Sequence, residues 1–311
     1  MSTSKLISSN FKFWSYLIFL IPSFFCTLFV LYVFLFDRNQ RRALNNHVLI
    51  VLLLTVLLCE VSMYPWMLYY YLHGTNWKRP YFFCQIWAFI DWAFYVLQIA
   101  LFAWTTVERH ILIFHDGWLV TVKQRFVLHY LPIILIVTYY FVFYFIVYFY
   151  PPCENISDGI GFIAFSVCLY DSMAFRIFET IVNCIFPSLT IVVFSIALLL
   201  RVLRQKQRMR QAITWRKHRK MAIQLLSISF LYLIVTCPYG FMILLRICGL
   251  SNDIGVDVES VAVFLSYYIV LLFPFVTVFS NPELSTKLRG CLRWKQTSIR
   301  PEIMPAQRAN L

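Results

Sequence analysis

The sequence predicts an all-α membrane protein: a seven-transmembrane helix bundle followed by a short amphipathic eighth helix. Three observations predict it. The 311 residues are 61% hydrophobic and only 13% charged, a composition that would leave a soluble domain with large exposed apolar patches. Seven apolar segments are each long enough to cross the ~30 Å of hydrocarbon in a bilayer. Basic residues gather on one set of the flanks between them. On this reading the chain divides into a short extracellular N-terminus at 1–12, the seven-span domain at 13–280, and an amphipathic helix with cytoplasmic tail at 281–311.

The spans are placed near 13–36, 46–71, 84–113, 126–150, 174–200, 220–245 and 257–279. No small-residue cleavage site follows the first, so it reads as a span and not as a removed signal peptide. Most of the 27 Lys and Arg residues lie after the first, third and fifth spans and in the tail. By the positive-inside rule that side is cytoplasmic and the N-terminus is outside, which places the chain in the plasma membrane as a multi-pass protein. The sequon Asn155-Ile156-Ser157 then falls outside, where glycosylation of Asn155 requires it. The formal net charge of +13 sits beside apolar spans. It therefore points to anionic inner-leaflet lipid and an acidic cytosolic partner, and not to nucleic acid. The 201–220 connection interleaves basic residues with Val202, Leu203, Met209, Ile213 and Trp215, a pattern that suits either contact.

Inside the spans the ionisable groups are few: Glu60, Asp91, His129 and Glu179. In the third span, steps of four and three give Asp91, Tyr95, Gln98, Phe102, Thr105 and Arg109 on one helix face. A helix in lipid turns such a stripe toward other helices, so this span belongs at the centre. Cys26, Cys59, Cys184 and Cys237 lie within spans and read as packing residues. Cys84, Cys153, Cys168 and Cys248 lie on the oxidising side. A bridge from Cys84 to the second outer loop would tie that loop over the bundle. Cys168 is the preferred partner and Cys153 the alternative, because sequence does not fix connectivity. Beyond Pro282, Leu284, Leu288, Cys291 and Leu292 recur at helical spacing among Lys287, Arg289 and Arg293. This is a helix to lie on the inner leaflet, with Cys291 a candidate for palmitoylation.

Cys84 lies 25 residues before Arg109, which stands in the triplet Glu108-Arg109-His110, and Pro187, Pro238 and Pro274 fall in the last three spans. Together with seven spans, these residues resemble the rhodopsin-like (class A) G-protein-coupled receptors, in a divergent invertebrate-type form. The departures are specific. Thr236 stands in Val235-Thr236-Cys237-Pro238 where the family has tryptophan. Phe273-Pro274-Phe275-Val276-Thr277 lacks the family's Asn and Tyr, and Val56 stands where the family has a sodium-binding Asp.

The resemblance implies a receptor that binds a small extracellular ligand within the bundle and activates a heterotrimeric G protein. It assigns Arg109 to the G protein when active and to Glu108 at rest, with Pro238 and Pro274 as pivots. Asp91 matches the carboxylate that holds an ammonium group in aminergic receptors, and Tyr267 the tyrosine that bonds it. The residue-level alternative is a structural Asp91 satisfied by Tyr267, or paired with Arg246. Glu179 and Asn183 share a face of the fifth span, and a second carboxylate there would suit a ligand with two cationic ends. The alternative is a Glu179 that is protonated or paired with Arg176. Tyr95, Gln98, Tyr239 and Tyr268 are candidate cavity walls, although aromatic residues mostly pack. Glu60 either lines the outer half of the second span or bonds a nearby hydroxyl. The sixth span offers only Lys217, His218 and Arg219 where the family often has an acid that locks the arginine. That predicts basal activity unless another contact holds the helices.

Other functions fit less well. A transporter or channel lacks its inverted repeat and matching broken helices. A retinal photoreceptor needs a lysine in 258–279, which has none. An enzyme lacks any recognisable catalytic motif, and no cofactor or metal is expected. Within the receptor class, a short peptide or apolar odorant is the runner-up to a biogenic amine.

Overall fold

The computed structural model describes residues 7–114, 121–208, 212–251, 254–281 and 283–290. Among these residues six helices are long and apolar enough to cross a membrane: Ser9–Phe36, Asn46–His73, Tyr81–Leu112, Val122–Phe149, Met173–Arg201 and Leu226–Ile247. The seventh span is a pair, Val256–Ser266 and Tyr268–Ser280, meeting at 40°. The first helix starts four residues before the expected boundary because the Ser8 hydroxyl accepts the N–H of Phe11 at 3.2 Å and caps it.

Prolines explain most of the irregularities. Pro65 has no N–H for the carbonyl of Val61, and the second span breaks there into Leu44–Val61 and Met63–His73. The fourth and fifth spans each carry a π turn, Phe126–Tyr130 and Thr180–Ile185, two residues before Pro132 and Pro187. The wider turn moves the bonding partner along by one and steps past the missing donor. In the fifth span it also leaves Glu179, Thr180, Asn183 and Cys184 turned inward and buried. The sixth helix runs through Pro238 without a break. The seventh breaks at Tyr267 and not at Pro274; the carbonyl of Tyr267 accepts the Tyr64 hydroxyl at 2.5 Å.

The third span is the axis of the bundle. In its apolar window 67% is buried, against 22% for the fourth. Its stripe faces inward: Gln98, Phe102, Thr105 and Arg109 are buried, while Asp91 and Tyr95 are half-buried against open space. Glu60 accepts from Ser23 Oγ at 2.6 Å and Thr27 Oγ1 at 3.2 Å, so it bonds locally and ties the first span to the second. The helix at 283–290 buries Leu284 and packs Leu288 on the core. Lys287 pairs with Asp37, and Gln40 donates to Glu283. Cys291 lies outside the described residues.

The loop between the fourth and fifth spans corrects one expectation. Its disulfide joins Cys153 to Cys168, and Cys84 is a buried free thiol. The loop folds on itself: Ile156 and Ser166 exchange backbone bonds of 3.0 and 2.8 Å, and Asn155 Oδ1 accepts the N–H of Cys168 at 3.0 Å. That pairing sets the two loop cysteines 6.0 Å apart at Cα, within bridging range. The tether expected from Cys84 is supplied by Arg79. Its guanidinium donates to Phe162 O at 3.0 Å and to Gly161 O. It also lies over the rings of Trp87, Trp77 and Tyr70 at 4.8, 5.0 and 5.4 Å. The Arg79 N–H bonds Gly159 O at 3.1 Å. Gly159 has φ +66°, and a Cβ there would lie 2.9 Å from Arg79 O, so only glycine fits the approach.

Candidate functional site

At the end that carries this loop, two cavities of about 140 and 330 Å³ meet at Asp91, Trp92 and Ile163. The smaller is walled by Tyr95, Gln98, Tyr239 and Tyr267 and roofed by Phe162. The larger reaches Glu179 and the rim residues Arg176, Arg246 and Glu259. Asp91 Oδ1 accepts the Tyr267 hydroxyl at 2.9 Å. The third span supplies the carboxylate, and the break at Tyr267 is where the seventh span answers it.

Glu179, 2% exposed, accepts Trp92 Nε1–H and the Tyr144 hydroxyl at 2.8 Å each, both on Oε1. It does not pair with Arg176, whose guanidinium contacts Met173 Sδ at 3.6 Å. Arg246 does not reach Asp91: its Nη2 and Nε bind Glu259 at 2.6 and 3.1 Å. Asn183 is a correction. It is fully buried and lines neither cavity; its Nδ2 donates to the Tyr144 hydroxyl at 3.4 Å. It supports the ring that holds Glu179, because the π turn rotates it behind the wall. Tyr268 also turns away, to Ser15 and Phe19 of the first span.

At the opposite end Arg109 is 2% exposed. The Glu108 carboxylate reaches His129 Nδ1 on the fourth span. His129 Nε2 meets His47 Nδ1 at 2.9 Å, and His47 Nε2 meets Arg41 O at 2.9 Å. His110 stands edge-on to Phe194. The third and sixth spans are held by Phe102 stacked on Tyr232, centroids 4.3 Å apart with planes 2° from parallel. Ser195 and Ser229 bond at 2.8 Å between the fifth and sixth. Lys217, His218 and Arg219 have no described side chains.

Sequence reasoning missed Arg79, Trp92, Tyr144, the Glu108–His129 contact and the Glu259–Arg246 pair. Two signals were present. His129 was one of four ionisable groups inside spans and had no assigned partner, while Glu108 lay at the same end of a neighbouring span. Trp92 follows Asp91 directly, and an indole N–H beside a cavity carboxylate is a donor in search of an acceptor.

Seven spans around a roofed cavity that carries two carboxylates, with a buried arginine closing the far end of the third, define a heptahelical membrane receptor. Residues 27–282 match the family described as 7 transmembrane receptor (rhodopsin family), and the chain belongs to that family. It is accordingly a multi-pass membrane protein and a signalling receptor, not an enzyme; membership implies a G protein and an extracellular ligand as partners. Comparison with curated proteins finds no match.

Proposed function

We infer that this receptor binds a small cationic ligand, with biogenic amines the first class to test, in the cavity around Asp91. It passes the signal to a heterotrimeric G protein at the Arg109 end, with its N-terminus outside the cell. The observation that carries the reading is Asp91 itself. One oxygen is fixed by Tyr267, the other has no partner among the described residues, and the group stands on the walls of both cavities. A carboxylate at this depth is costly unless a cation answers it. Ligand binding shifts the packing of the bundle only through differential affinity for its two states. The contacts that must yield are the Phe102–Tyr232 stack and the Ser195–Ser229 bond, as the sixth span moves about Pro238.

The test is G-protein activation in expressing cells across a panel of biogenic amines, with Asp91→Asn beside the wild type. An amine response abolished by Asp91→Asn at equal surface expression supports the reading. A wild-type receptor that is at the surface, shows an Arg109-dependent signal and ignores every amine refutes it, and the search moves to apolar odorants and short peptides.

A further inference from the structure

We propose that the ligand is dibasic, and that Glu179 is the anchor for its second cationic group; this rests on the reading of Asp91 above.

Both carboxylates stand on the wall of the one cavity of about 330 Å³. Each is fixed by neutral donors on a single oxygen. Asp91 Oδ1 takes the Tyr267 hydroxyl, and Glu179 Oε1 takes both Trp92 and Tyr144. Their second oxygens have no partner among the described residues. Of the two arginines on the same wall, one is engaged and one lies exposed. Arg246 is held by Glu259 and by Ser251 O, and Arg176 is exposed at the rim against Met173. Among the described residues the cavity thus presents two oriented carboxylate oxygens with no cation between them.

The supporting shell argues for orientation. Trp92 of the third span, Tyr144 of the fourth and, behind it, Asn183 of the fifth all serve to hold Glu179. One N–H and one O–H donor converging on one oxygen fix the carboxylate and leave its other oxygen free of them, as a preorganised binding group requires. Trp92 adjoins Asp91 in sequence, donates to Glu179 and lines both cavities, so the indole links the two anchors.

The test compares α,ω-diamines of increasing length with monoamines of the same length in the G-protein assay. Wild type is run beside Asp91→Asn, Glu179→Gln and Arg176→Gln. Glu179→Gln keeps an amide oxygen to accept from Trp92 and Tyr144, so the shell survives and only the charge is lost. The expected result is a diamine optimum at one chain length, more potent than its monoamine. Glu179→Gln should weaken that diamine about tenfold or more, the size of one charge-assisted hydrogen bond, and so remove its advantage over the monoamine. Diamines no better than monoamines, with Asp91→Asn still abolishing both, would overturn the second anchor while sparing the first. Silence to every amine would overturn both. A response confined to amino acids and lost in Arg176→Gln would make the second anchor cationic and overturn the proposal.

Discussion

Replacing Arg79 by alanine is expected to free the loop between the fourth and fifth spans from the bundle. The residue is 6% exposed, makes two side-chain bonds to loop carbonyls, and lies over three rings. A hydrogen bond from a charged donor contributes about 1.5–3 kcal/mol, and a desolvated cation–π contact about 1–2 kcal/mol. Water recovers part of this when the freed carbonyls become exposed, so the net loss is about 3–5 kcal/mol. For a chain of this size that is a fall in Tm of about 5–10 °C, read on detergent-solubilised receptor. Arg79→Lys keeps the charge but loses the planar fork, and should fall between. Peptide mapping without reduction should find Cys153 linked to Cys168 and Cys84 open to alkylation after denaturation. An unchanged Tm in Arg79→Ala, together with a Cys84–Cys168 peptide, would refute the argument, since the loop would then be tied covalently.

Two further outcomes follow from contacts at the two ends. Tyr232→Ala removes the stack on Phe102 and should raise basal G-protein signalling about fivefold, the equivalent of a ~1 kcal/mol aromatic pair; Tyr232→Phe should not. In the loop, the N–H groups of Ile160 and Gly161 hold the Asp158 carboxyl below its usual range, with the Arg79 charge assisting. A pKa depressed by folding adds stability above the unfolded value of about 3.9, and that stability is lost as pH falls through the folded value. Protease sensitivity of the loop should therefore rise at acid pH, and Asp158→Asn should lose that part of the pH dependence.

What was legible in the sequence had a one-dimensional signature. Hydropathy located the seven spans, and the stripe from Asp91 to Arg109 named the central helix. The pairing of Asp91 with Tyr267 came only with the resemblance to the receptor family, and the two side chains meet at 2.9 Å. What was illegible depended on three-dimensional detail. Nothing local marks Arg79 as buried, because an arginine at a span's end ordinarily reaches for head groups. The rings that hold it come from the second span, the turn after it and the third. The loop cysteines were adjacent only once Ile156 and Ser166 paired. Asn183 shares Glu179's face in an α-helix, but a π turn shifts that register, and proline predicts an irregularity without specifying which kind.

The row Glu108–His129–His47–Arg41 ties the third span to the fourth and the second. Glu108 and His129 are both almost fully buried, so removing one of them leaves the other as a buried polar group without its partner. His129→Leu removes the middle of the row and strands the Glu108 carboxylate. It should cost about 2–4 kcal/mol, read as a lower Tm of solubilised receptor. Adding Glu108→Gln removes the stranded charge, so the double variant should recover a substantial part of that loss. Its cost would fall well below the sum of the two single costs. Strict additivity in that cycle would mean that His129 and Glu108 are neighbours without being partners. The resting contact of Glu108 would then have to be sought at Arg109.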